Sequence, residues 1–193
     1  MKFIATDVSD TREKMTAKAS AQLGKPGFAI DPYFYRSHVT YQAELENIIF
    51  KSWLYAGHIS QVAKNGDYFL FDIGEDSIII SRDNKGVIGA MHNICRHRGA
   101  RVCEEPSGNR KAFICPYHGW AYGNDGKLKS ARDMDHREDF NCDDYSLKPV
   151  RFVIFQGMIF INCDPDAPDF VAPLEKITTQ LGAYDLENAK VAE

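Results

Sequence analysis

Two short stretches constrain this chain more than anything else in it. They are Cys95-Arg96-His97 and Cys115-Pro116-Tyr117-His118, with seventeen residues between His97 and Cys115. Each offers one thiol and one imidazole. A thiolate binds iron tightly and places negative charge on it, whereas a neutral imidazole binds without adding charge. Two Cys and two His form the ligand set of a [2Fe–2S] cluster with both His on one iron and both Cys on the other, and also of tetrahedral zinc. Zinc arrangements typically pair the two Cys in one loop and the two His in another. Here each loop mixes one of each, which favours two irons over zinc and over four unrelated core residues.

The ligands set a redox expectation. Four thiolates leave an oxidised [2Fe–2S] cluster formally dianionic, and exchanging two of them for imidazoles makes it neutral. An electron enters a neutral centre more readily, so the potential rises to roughly −150 to +300 mV, against about −400 mV for four-Cys centres. The imidazole N–H groups remain titratable, so the potential falls once pH exceeds their pKa values in the oxidised form.

At these residues the sequence resembles the Rieske family, specifically the large (alpha) subunit of Rieske non-haem iron oxygenases of the aromatic-ring-hydroxylating or quaternary-ammonium type. Asn93-Ile94-Cys95-Arg96-His97-Arg98-Gly99-Ala100 is similar to the family's first loop, and Cys115-Pro116-Tyr117-His118-Gly119-Trp120 to its second. Asn124-Asp125-Gly126-Lys127-Leu128 resembles the turn that follows, and the likeness runs from about Asp31 to about Asp169. The resemblance implies a mainly β fold: an antiparallel Rieske β-sandwich with a small cluster-binding subdomain, an N-terminal helix and a C-terminal helix. It implies Cys95 and Cys115 on the inner iron and His97 and His118 on the outer one. Trp120, with Tyr117, would shield the cluster, and Trp120 reads equally as a plain core aromatic. The cytochrome bc-type branch carries an extra Cys in each loop, joined as a disulfide, and a Ser that bonds a cluster sulfur. Ala100, Tyr117 and Trp120 stand at those places, so neither the disulfide nor that hydroxyl is expected, and the potential should lie low in the Rieske range.

Composition narrows the partners. A net charge of −4 offers no basic face to nucleic acid or anionic membrane. No run of eighteen apolar residues exists to span a bilayer. The opening residues contain Asp7, Asp10 and Glu13 and no apolar core, unlike a signal or transit peptide. A cytoplasmic protein is expected. With Cys95 and Cys115 on iron, Cys103, Cys142 and Cys163 read as free thiols in a reducing compartment.

Along the chain, residues 1–30 read as a flexible arm and 31–55 as a helical segment. Thr40 would cap that helix, with Leu45, Ile48, Ile49 and Trp53 on one face. Residues 56–165 form the Rieske domain, with the cluster-binding subdomain at about 92–125. Its strands are expected at Tyr68–Ile73, Ser77–Ser81, Val87–Ile94, Ala112–Cys115, Gly119–Tyr122, Lys127–Ser130, Val150–Phe155 and Met158–Asn162. Asp133–Asp139 reads as a solvated loop. Residues 166–193 start a linker and helix after Pro173, with Leu174, Ile177 and Leu181 on one face and Gly182 as its cap.

In the resembled oxygenases a second domain binds mononuclear Fe(II) through two His and one carboxylate. Downstream of His118 the only His is His136, while His38, His58 and His92 lie upstream and read as ordinary surface or core residues. The expectation is therefore one-electron transfer, as the electron-entry domain of an oxygenase whose catalytic iron domain is not in this sequence. Its partners would be an NAD(P)H-dependent reductase or a ferredoxin as donor and an oxygenase catalytic domain as acceptor, in a homotrimer when full-length. Arg96, Arg98 and Arg101 read as a cationic rim that could orient an acidic partner. The alternative is a stand-alone Rieske ferredoxin; a colourless zinc-binding module is a third class. One mutation tests the ligand set: His118→Cys adds a thiolate, so redox titration across pH should show a lower potential and a weaker pH dependence.

Overall fold

The computed structural model describes residues 9–134, 136–170 and 174–192. The chain divides into two compact units, Met1–Ser52 and Trp53–Glu193.

In the first unit the polar stretch expected to be an arm contains a helix, α1, at Arg12–Leu23. It buries none of its residues, so no apolar stripe announces it. Its start is set by Thr11, whose side chain accepts the Lys14 N–H at 3.3 Å. The next helix, α2, spans His38–Asn47. Its cap is Ser37 and not Thr40: the Ser37 hydroxyl accepts the Thr40 N–H at 2.9 Å. Asp10 holds that cap in place, accepting from the Tyr33 hydroxyl at 2.5 Å, the Ser37 hydroxyl at 2.9 Å and the Val39 N–H at 3.2 Å. These donors hold its carboxyl below the usual Asp range, the Tyr33 hydroxyl most of all. The α2 helix ends before Ile48, and a 3₁₀ turn follows at Ile49–Lys51.

Trp53 therefore lies off the helix, next to the first strand of the second unit, β1 (Leu54–His58). Its indole N–H donates to the Pro168 carbonyl at 3.1 Å, and its ring meets Phe170 edge-on at 5.3 Å. Among the described residues nine strands follow: β2 (Asp67–Ile73), β3 (Asp76–Arg82), β4 (Ile88–His92), β5 (Ser107–Asn109), β6 (Ala112–Ile114), β7 (Ala121–Gly123), β8 (Leu128–Ser130), β9 (Arg151–Phe155) and β10 (Met158–Asn162). They make three antiparallel sheets, ordered β1-β10-β9, β4-β3-β2-β5 and β6-β7-β8. This is the mainly antiparallel β architecture expected.

The centre of the unit is β3, where Ser77, Ile78, Ile79, Ile80 and Ser81 are all buried. Both of its faces are covered, so the strand reads as a continuous apolar run and not as an alternation. The third sheet is fastened to this one by the Ser81 hydroxyl, which donates to the Asn124 carbonyl at 2.7 Å. Tyr68, Phe113, Trp120, Tyr122, Leu128 and Leu147 pack into one core with Cys95 and Cys115.

Two strands escape the sequence pattern. β5 is Ser-Gly-Asn with no apolar residue, and β1 carries Gly57 in its middle. The last helix, α3, spans Leu174–Leu181; Pro173 and residue 135 lie outside the described residues. Gly182 does not cap α3 in a left-handed conformation. It opens a 3₁₀ turn, and Asp185 takes the left-handed position at φ 46°. Among the described residues no helix is long and apolar enough to cross a membrane.

The β9–β10 turn gives a stability test. Gln156 and Gly157 both have positive φ, 47° and 77°, the type I′ pair. A Cβ on Gly157 would collide with Nε2 of His58. That ring is fixed: its Nδ1 accepts the Ser60 N–H at 3.2 Å, so Nε2 carries the proton and donates to the Leu186 carbonyl at 3.0 Å. Gly157→Ala should cost about 1–3 kcal/mol, read as a lower urea midpoint at unchanged slope.

Candidate metal centre

The first loop leaves β4 and the second bridges β6 and β7. Both turn in the same way. The Gly99 N–H donates to the Cys95 carbonyl at 2.9 Å and the Cys95 N–H to the Ala100 carbonyl at 2.8 Å. The second loop repeats this with Gly119 to Cys115 at 3.0 Å and Cys115 to Trp120 at 2.8 Å. Each turn needs a left-handed residue, and a glycine supplies it: φ is 75° at Gly99 and 73° at Gly119. The fixed interval from Cys to Gly is thus what the turn dictates.

The loops bring the four sequence-predicted residues together. The Cys95 and Cys115 side chains are buried at 3% and 2% exposure. The rings of His97 and His118 stand 4.6 Å apart at 77°, both half-buried nearer the surface. Trp120, itself buried, stacks on His97 at 4.9 Å and 12°. Its other side meets the edges of Phe140 and Tyr145, each at 5.7 Å. Tyr117 packs on His118 at 3.8 Å but is 61% exposed, so it covers the imidazole and is itself open to solvent.

The electrostatics suit metal ligands. Burial lowers the His97 pKa, helped by the charges of His118 and Arg98, which keeps its ring neutral, the form that binds metal. Burial raises the Cys115 thiol; the backbone N–H groups of Tyr117 and His118 oppose this, while Cys95 adds to it. Those two N–H groups would stabilise a bound thiolate.

His97 Nδ1 is buried without a hydrogen-bond partner. A buried orphan acceptor costs stability, and an iron at that atom would satisfy it. Among the described residues no three His, Cys, Asp or Glu side chains gather about one ion. A [2Fe–2S] cluster needs only two protein donors at each iron, whereas a zinc ion of the kind first considered would need all four at one point. The residues fit the cluster.

Tyr122 was not among the expected site residues. Its buried hydroxyl accepts the Arg96 N–H at 3.0 Å and lies 3.4 Å from Cys95 Sγ. With its lone pair engaged by Arg96, its own proton is free to point at the sulfur. Burial, then the Cys95 side chain, raises its pKa and keeps it protonated. The sulfur therefore has a hydroxyl neighbour although no Ser stands at Trp120. In the sequence Tyr122 looks like any inward-facing strand aromatic.

The remaining Cys, His and Arg residues do not join the four. Cys103 is a buried free thiol beside Tyr68, whose phenol is pushed up to about 12, first by burial and then by Cys103. Cys142 and Cys163 are also free. His58 is held by Ser60 and Leu186. His92 is half-buried on β4, with its pKa lowered by that burial, and His136 is exposed. Arg96 and Arg98 are exposed beside the His pair, while Arg101 is engaged by Asp72 at 3.5 Å and the Glu75 carbonyl at 3.0 Å.

A β-fold with two Cys-His loops folded back to back is the mark of one class of electron-transfer domain. The Rieske [2Fe-2S] domain model matches residues 52–148, and the chain belongs to this family. It is 43% identical over 142 residues to the chlorobenzene dioxygenase subunit alpha of Cupriavidus sp. strain PS12, covering 72% of this chain and 31% of that protein. It is 35% identical over 168 residues to the glycine betaine monooxygenase oxygenase subunit of Pseudomonas aeruginosa strain UCBPP-PA14, covering 86% of this chain and 38% of that one. The crystal structure of the quaternary ammonium Rieske monooxygenase CntA with L-carnitine superposes at a TM-score of 0.72 with 31% identity, covering 83% of this chain and 46% of that chain. This sequence thus spans less than half the length of the oxygenase subunits it matches. Membership of the family implies a Rieske-type [2Fe–2S] cluster as cofactor.

Tyr122→Phe removes the hydroxyl and keeps the ring. If that hydroxyl donates to the Cys95 sulfur, the loss should lower the midpoint potential by about 20–60 mV, the equivalent of one hydrogen bond, in a spectroelectrochemical titration.

Proposed function

We propose that this chain is the electron-entry domain of a Rieske oxygenase alpha subunit, and that Cys95, His97, Cys115 and His118 are the cluster ligands. The observation that carries the reading is the convergence of the two loops, with their His rings 4.6 Å apart and both thiols buried beneath. When bound, the cluster supplies a site that accepts and releases one electron. Cys95 and Cys115 would hold one iron through thiolates, which favour the ferric state. His97 and His118 would hold the other through neutral imidazoles, the side on which an added electron is favoured. Trp120 fixes the His97 ring and excludes water from its inner face. Arg96 and Arg98 give the exposed side of the centre a positive rim, suited to an acidic donor such as a ferredoxin or an NAD(P)H-dependent reductase.

Similarity to aromatic-ring dioxygenases and to glycine betaine monooxygenases is of the same order. That suits a domain that delivers electrons without touching substrate. Oxidation would then take place at a mononuclear iron in a further domain, with the trimer of the full-length form bringing the two centres together. The free cysteines are in keeping with the cytoplasm.

The purified chain, as isolated, should contain two iron and two sulfide per chain and accept one electron from a flavin or iron–sulfur reductase. It should hydroxylate neither an aromatic hydrocarbon nor a betaine in the presence of O₂. Turnover of either substrate by this chain alone would overturn the reading. Rapid transfer from it to a separate, complete oxygenase would instead make it a ferredoxin-like carrier.

A further inference from the structure

The two ligand loops turn alike but stand on different foundations. The second rises from a strand ladder: Ile114 pairs with Ala121 and Phe113 with Tyr122 directly beneath it. The first has no ladder at its base. β4 stops at His92, and the returning residues Val102 and Cys103 belong to no strand.

One side chain stands where the ladder would be. Asn93 is wholly buried at 0% exposure. Its Oδ1 accepts the N–H of Val102 at 3.0 Å and of Cys103 at 2.9 Å. Its Nδ2 donates to the Cys103 carbonyl at 2.6 Å and to the Ser77 hydroxyl at 3.2 Å. Its backbone N–H donates to the Ser77 carbonyl at 2.9 Å. A primary amide offers two donors and two acceptor sites, and here all four are used. One amide thus ties the departing chain, the returning chain and β3 together, two residues before Cys95. A carboxylate in its place would supply acceptors only. An alanine would leave two N–H groups and a carbonyl unpaired in a dry core.

We propose that Asn93 is a positioning residue for the cluster. By fixing the base of the first loop it sets where Cys95 and His97 lie relative to Cys115 and His118, and so governs how firmly the cluster is held and how its irons are surrounded. This rests on the ligand assignment proposed above.

The test compares wild type, Asn93→Ala and Asn124→Ala in the full chain. Asn124 is another buried amide, at 3% exposure, whose Nδ2 donates to the Arg110 carbonyl at 2.9 Å, outside both ligand loops. Two readouts are taken: the electron paramagnetic resonance g-values of the reduced protein, and the rate of iron release to a ferrous chelator. Asn93→Ala should shift and broaden the g-values and release iron about tenfold faster, as expected for buried partners left unpaired. Asn124→Ala should keep the wild-type g-values and release rate within about twofold. Should Asn93→Ala yield no folded protein, Ser77→Ala removes one of the four bonds. It should speed release about two- to threefold, and a wild-type rate in that variant overturns the proposal. A wild-type protein without a mixed-ligand two-iron signal would remove the ligand assignment and this proposal together. A normal wild-type signal, with g-values and release rate unchanged in Asn93→Ala, would remove this proposal alone.

Discussion

Everything near the metal centre follows from placing two thiol sulfurs in an apolar core. Cys95 and Cys115 are packed with Phe113, Trp120 and Tyr122, where an ionised sulfur is costly unless something compensates it. The compensation is local. Backbone N–H groups of Tyr117 and His118 address Cys115, and the Tyr122 hydroxyl sits beside Cys95. The tight turn closed at Gly119 carries the Tyr117 and His118 N–H groups. The His side chains need no such help. They lie half-exposed at the rim, where a partner can approach the iron they would hold.

That division of labour explains the fold around the centre. Strand β3, buried from Ser77 to Ser81, forms the floor of the unit. The three-stranded sheet β6-β7-β8 carries the second loop directly on its first hairpin. The aromatic group of Trp120, Phe140 and Tyr145 closes one flank, with Phe140 and Tyr145 stacked at 4.7 Å. Water is thereby kept from the inner side of the His97 ring, while Arg96 and Arg98 face outward.

The pairing of the two Cys-His loops and most strands were legible in the sequence, because each loop carries one thiol and one imidazole at close spacing and because turns such as Asn124-Asp125-Gly126 punctuate the β pattern. What was not legible has physical causes. The α1 helix has no apolar stripe, since none of its residues is buried. The α2 cap fell to Ser37 because Asp10, distant in sequence, holds the Ser37 hydroxyl. Trp53 continued a helical spacing, yet it is drawn off the helix by Pro168 and Phe170. β5 consists of polar residues, and only its partner β2 makes it a strand. Tyr122 carried no signal at all, because its role depends on a sulfur twenty-seven residues away.

The core membership of Cys95 and Cys115 also bears on thermodynamics. A ligand that binds only the folded chain adds to its stability by mass action, and metal bound by core side chains makes that linkage direct. With Cys95 and Cys115 as the proposed ligands, iron and sulfide supply would become terms in the folding equilibrium of this domain. Iron starvation would act on it as a denaturant does, lowering the abundance of folded chain as well as emptying the centre.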